Sequence, residues 1–193
     1  MGNRRIGRKR LYGVEKAGQR INLDSGAGMK DNIKSASQHR QGQELITEIA
    51  VDLQGLTCAA SDKGIIGHAS KPSYITQLTE ANYGIVTEIR VVVAETITNT
   101  ADDIGAEGVD VEVGDGAAGI ANNTGGSANG GGTRVALTHD VRVKGADASA
   151  TKDANELADG YLYVVNAESA TSDTMTAGKL LIYIHGFVAP ADI

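Results

Sequence analysis

The chain of 193 residues has no tryptophan, one phenylalanine, one cysteine and two prolines. A single cysteine, Cys58, excludes an intrachain disulfide; in the stretch LTCAAS it reads as a small apolar filler of a core. No run of residues approaches the ~18 apolar positions of a membrane-spanning helix. The N-terminus carries basic residues but lacks the apolar centre of a secretory signal, so a soluble protein made in a cytoplasm is expected. The missing tryptophan also weighs against a sugar-stacking cleft. A carbohydrate-active enzyme would further need paired carboxylates across a bond, and no such pair stands out.

What is present points to strands. Glycine is frequent at 25 residues, and Val, Ile and Thr fill the intervals between glycine-rich turns. LITEIAVDL alternates, with Leu45, Thr47, Ile49, Val51 and Leu53 on one face and Glu48 and Asp52 on the other. GIIGHA and SYITQL are two short candidates on either side of Lys71-Pro72. GIVTEIRVVVAET is the strongest strand signal; its period sets Ile85, Thr87, Ile89, Val91 and Val93 against Val86, Glu88, Arg90 and Val92. GVDVEVGDG alternates Val109, Val111 and Val113 with Asp110 and Glu112, then turns. RVALTHDVRV alternates through Val135, Leu137, His139, Val141 and Val143. DANELADG predicts one helical turn leading into the strand YLYVV. KLLIYIHGFV is apolar on both faces, which predicts a central strand or a subunit interface. The expected fold is all-β: an antiparallel β-sandwich of about eight strands, a jelly roll being one form of it, because no long helix is available for parallel crossovers.

Charge divides the chain. Residues 1–43 hold ten Lys/Arg and three acids, a net +7; residues 44–193 hold eight Lys/Arg and twenty-one acids, a net −13; the whole chain is −6. The expected organisation is a basic, extended N-terminal arm over 1–43 and an acidic β-sandwich body over 44–193. The arm is rich in Gly, Ser, Asn and Gln without a sustained period, so its ordering entropy must be offset by contact with a partner surface.

Chemical motifs are sparse. His39, His68, His139 and His185 are scattered, form no HExxH and do not pair with Cys58 at ligand spacing. His139 and Asp140 are neighbours on a strand and point to opposite faces. The acids of DVEVGDG miss the EF-hand spacing and read better as a turn; those of ADDIGAEG read the same way, their density leaving a weak Ca2+ site as the alternative. The glycines of 125–132 lack GxxxxGK[ST] and a following helix, so a surface loop is expected. No GxSxG elbow occurs. The expectation is therefore no enzyme, no catalytic or metal residues and no cofactor.

The strongest signal is the opening stretch MGNRRIGRKRLYG. Arg4, Arg5, Arg8, Lys9 and Arg10 give it charge; Ile6, Leu11 and Tyr12 interleave as apolar anchors. Three uses compete: phosphate binding on nucleic acid, docking on an acidic protein surface, including the body of another copy, or a solvated tail. A body of net −13 repels a duplex, and Tyr12 alone makes no stacking platform. The apolar residues distinguish the arm from a mere charged tail. Docking on protein is the favoured reading, with these eight residues as the contact set.

NRRIGRKRLYGVEKAGQ (3–19), SASQHRQGQELITEIAVDL (35–53), YITQLTEANYGIVTEIRVVV (74–93), ANELADGYLYVV (154–165) and AGKLLIYIHGFVAP (177–190) together resemble small virion structural proteins of tailed marine phages, especially cyanophages. The likeness covers both ends and most of the body and is weakest over 99–133. It brings no catalytic or ligand motif with it. It implies a bacteriophage capsid decoration or cement protein, made in the bacterial host cytoplasm and carried on the capsid surface. Its arm would grip the major capsid protein, and it would associate with itself, as a homotrimer. The alternatives within the virion are a tail, neck or fibre-base component; the rival class is a nucleic-acid-binding protein using the arm. No membrane partner is expected.

Overall fold

The computed structural model describes residues 19–58, 64–100, 108–114, 134–136, 144–151, 158–166 and 173–188. They form eleven strands: β1 (Gln19–Arg20), β2 (Ile33–Gln41), β3 (Glu44–Asp52), β4 (Thr57–Cys58), β5 (Thr76–Gln77), β6 (Ile85–Asn99), β7 (Val109–Gly114), β8 (Arg134–Ala136), β9 (Asp147–Thr151), β10 (Tyr161–Asn166) and β11 (Asp173–Phe187). The helical content described is one 3₁₀ turn, Lys30–Asn32, and one short helix, α1 (Glu80–Tyr83). All pairings are antiparallel. The larger sheet runs β1-β2-β3-β11-β6-β9, with β4 added beside β11; the smaller runs β5-β10-β7-β8. The expected all-β antiparallel class is what is found.

The two sheets close on one apolar core. Ile49 and Val51 of β3, Ile89, Val91 and Val93 of β6, and Leu180, Ile182 and Ile184 of β11 meet Val109, Val111 and Val113 of β7 and Leu162 and Val164 of β10. Alternation explains the choice of face on β3: Thr47, Ile49 and Val51 are buried, while Glu48, Ala50 and Asp52 are only partly so. β11 lies between β3 and β6 and is thus a central strand of the larger sheet, with Leu180, Ile182 and Ile184 in the core and Leu181, Tyr183 and Phe187 on the outer face. Cys58 is buried in the same core.

Residues 19–43 lie on this body. Met29 is fully buried in the core, Ile21, Leu23 and Ile33 pack against it, and β2 pairs with β3 along nearly its whole length. A turn through Gly42 (φ 64°) joins the two strands. The root of the basic segment is thus part of the larger sheet, and β1 pairs with β2 only at Gln19–Gln38 and Arg20–Ser37.

β6 departs from its sequence pattern at one place. Glu88 pairs with His185 and Val86 with Gly186, so Thr87 is an extra residue on β6. This bulge reverses the phase. Val86 turns inward at 5% exposure, and Ile85, expected on the same face as Ile89, is turned out at 41%. The bulge lies where α1 crosses β11. Gly84 (φ 65°) ends the helix, and a Cβ on Gly186 would collide with the Tyr83 carbonyl oxygen. Gly186→Ala is expected to cost about 1–3 kcal/mol through this backbone overlap, read as a lower denaturant midpoint with an unchanged slope.

The smaller sheet holds a second departure. Val109, Val111 and Val113 face the main core as their period predicts, but Asp110 and Glu112, expected on a solvated face, are 0% exposed. Their cover comes from elsewhere in the chain: Ile65 bridges to Val165, and Ile65, Tyr163 and Val165 form a small second core with Tyr74 and Tyr161. Within it Tyr74 meets Tyr161 and Tyr163 edge-to-face, at centroid distances of 5.0 and 6.4 Å.

Candidate interaction surface

The eight arm residues singled out from sequence, Arg4, Arg5, Ile6, Arg8, Lys9, Arg10, Leu11 and Tyr12, lie outside the described residues. So do His139, most of the acidic stretch 101–108 and the glycine run 125–132. What is described is the place where the arm joins the body. A groove of about 340 Å³ opens there between the chain at Arg20–Ser25 and β2. Ile21, Leu23, Ile33 and Ala36 line it, together with Arg20, Lys30 and Lys34. Lys34 Nζ donates to the Asp31 carbonyl and stands 3.9 Å from Asp52, so part of this positive charge is locally balanced.

The outer face of the larger sheet is the more distinctive surface, and it is built from strand register. Ala50, Leu181 and Val92 stand side by side across β3, β11 and β6; Glu48, Tyr183 and Arg90 form the next row; Ile46, His185 and Glu88 the third; Glu44, Phe187 and Ile85 the last. Phe187 at 47% and Ile85 at 41% are the two exposed large hydrophobic residues recorded among the described residues, and they are direct neighbours. The face therefore combines an apolar stripe with carboxylates. Sequence reasoning missed this juxtaposition, because only the bulge at Thr87 brings Ile85 to the outside. The one available signal was the double apolar character of KLLIYIHGFV.

Electrostatics on this face are uneven. Arg90 is held by Asp147 in a two-pronged contact, Nε to Oδ1 at 2.8 Å and a second bond from the other nitrogen. These hydrogen bonds hold the Asp147 carboxyl below its ordinary value and raise Arg90. Lys179 pairs with Glu95 at the far end. His185 Nδ1 lies 3.6 Å from Glu44, an ion pair only when the imidazole is protonated. Glu48 and Glu88 are half-buried among Tyr183, Ile46 and Arg90, and neither forms an ion pair with another described residue.

Elsewhere, polar groups read as structural. His68 is exposed, and its Nδ1 accepts from the Ser70 backbone N–H at 3.2 Å. Among the described residues no group of three or more His, Cys, Asp or Glu is arranged to hold a metal ion. No described helix is long and apolar enough to cross a membrane.

The buried tyrosines separate into two kinds. Tyr83 and the Thr76 hydroxyl share a buried hydrogen bond of 2.7 Å; the Tyr163 hydroxyl has no partner among the described residues. Tyr83→Phe should then cost about 1 kcal/mol, because Thr76 loses its partner, whereas Tyr163→Phe should leave stability unchanged or raise it. Burial raises both phenols above the ordinary 10.0. A group with a raised folded-state value stabilises fully below the unfolded value and loses that contribution as pH rises past it. Stability should accordingly fall above pH 10.0, and less steeply in Tyr163→Phe, as urea melts on either side of that pH would record.

No family model matches the chain, and neither does any curated protein or solved structure with which it was compared.

Proposed function

We propose that this chain is a bacteriophage virion structural protein, a capsid decoration or cement protein that attaches to the outside of the head shell through its basic N-terminal arm. The observation that carries the reading is how the charge is mounted. Residues 1–18 carry a net +5 and lead into the edge of the larger sheet, where only Gln19 and Arg20 pair with β2, on a body (residues 19–193) of net −11. A basic, partly apolar arm held at a sheet edge can reach beyond the body it belongs to. The resemblance of the terminal and body segments to small virion proteins of tailed phages supports the same reading, as does a rigid β body. Such a protein needs a compact body, contact with its own copies and an arm that gains area without a large core. Repetition on a shell turns weak single contacts into high avidity. Self-association as a homotrimer belongs to this proposal, and so does the major capsid protein as partner.

The test is cosedimentation of the purified protein with heads of the encoding phage that lack it. Saturable binding to heads, and none to isolated tails, is the expected result. Binding to tails alone would move the protein to the tail, neck or fibre base. Binding to naked DNA that falls steeply with salt would replace the proposal by nucleic-acid recognition.

A further inference from the structure

We infer that the outer face of the larger sheet is a docking site for the chain's own basic segment, residues 4–12, in the free protein. Three observations converge. The first is the surface: exposed Phe187 and Ile85 lie beside Glu44, and the half-buried Glu48 and Glu88 have no ion pair with any described residue. Carboxylates set among apolar side chains call for an occupant that brings both cations and apolar groups. The second is composition: residues 4–12 hold Arg4, Arg5, Arg8, Lys9 and Arg10 interleaved with Ile6, Leu11 and Tyr12. The third is geometry. β1 runs antiparallel to β2 with Gln19 opposite Gln38 and Arg20 opposite Ser37, so the chain enters β1 from the Gln41 end of β2. Gln41 pairs with Glu44, Glu44 with Phe187, and Phe187 with Ile85, so the arm arrives at the end of the sheet where the exposed apolar pair stands.

Reach permits the contact. β1 and β11 are three strand spacings apart, roughly 14 Å. The seven residues from Tyr12 to Gln19 span up to about 23 Å when extended. A segment tethered this closely has an effective concentration of about the millimolar range, which favours the same copy over a second one in dilute solution. Attachment to a shell would then exchange one acidic and apolar surface for another. The inference concerns the isolated protein, and its outcome leaves the virion reading to be decided separately by binding to heads.

Trypsin, which cuts after Arg and Lys, provides the readout on the full-length protein, with a synthetic peptide of residues 1–18 as the unprotected reference. Cleavage within residues 4–10 should be slower in the protein than in the peptide. Glu48→Gln with Glu88→Gln should speed it about five- to tenfold, the combined weight of two ion pairs, and high salt should bring the wild type to the rate of the variant. Phe187→Ser, at an exposed position, should act in the same direction. Circular dichroism and the thermal midpoint confirm that the variants remain folded. Equal cleavage rates in protein and peptide, or rates in the variants identical to wild type, would overturn the inference. Protection that develops only as protein concentration is raised would overturn it as well, by assigning the segment to a second copy.

Discussion

Ile182→Ala is expected to lower stability by about 2–5 kcal/mol, a large part of the roughly 5–15 kcal/mol that holds a domain of ordinary stability. The side chain is 0% exposed and sits midway along β11, between Ile49 of β3 and Val91 of β6. All three belong to the core shared with the smaller sheet, so truncation opens a cavity that neighbouring strands, held in register on both sides, cannot collapse to fill. The same substitution at Leu181, one residue away on the half-exposed outer face, should cost much less. Denaturant melts of the two variants measure the contrast directly. Equal losses would mean that β11 is not the central element of the fold.

Reversing Arg4, Arg5 and Arg8 to Glu should abolish incorporation into heads while the body melts as in the wild type. The change replaces three positive charges by three negative ones and turns an arm of net +7 over residues 1–43 into one of net +1. An acidic shell surface would then repel what it had attracted, and like-charge contacts suppress association as strongly as opposite charges favour it. Retained incorporation would show that something other than the arm is the anchor. A second variant, Leu11→Ser with Tyr12→Ser, separates the apolar part of the arm from its charge: weakened attachment at unchanged net charge is expected.

Much of the fold was legible because alternation is a local property. Thr47, Ile49 and Val51 declare their face by period alone, and the apolar residues on both sides of KLLIYIHGFV pointed to a central strand or an interface; β11 is central, between β3 and β6. Where distant residues decide burial, the pattern misled. Asp110 and Glu112 alternate with valines as on a solvated strand, yet the chain around Ile65 and Tyr74 closes over that side of the smaller sheet. An inserted residue is equally hard to see, since the bulge at Thr87 leaves the local sequence of alternating residues unchanged and reverses only what precedes it. The expected placement of Ile85 with Ile89 failed for that reason, and the outer apolar face became visible only in three dimensions.

The proposed site divides in the same way. The basic residues of the arm are legible from composition, because charge runs need no fold to be recognised. The face that complements them is assembled from β3, β6 and β11, segments separated by as many as 143 positions between Glu44 and Phe187, and no sequence window contains it.

A cryo-EM map of the phage head measures the central claim most directly. The account predicts density for a β body on the outer shell surface, repeated with the symmetry of the capsid, with residues 4–12 running from the edge of the larger sheet onto the major capsid protein. A head that carries no such density, or a particle in which the protein occupies only the tail, would contradict it.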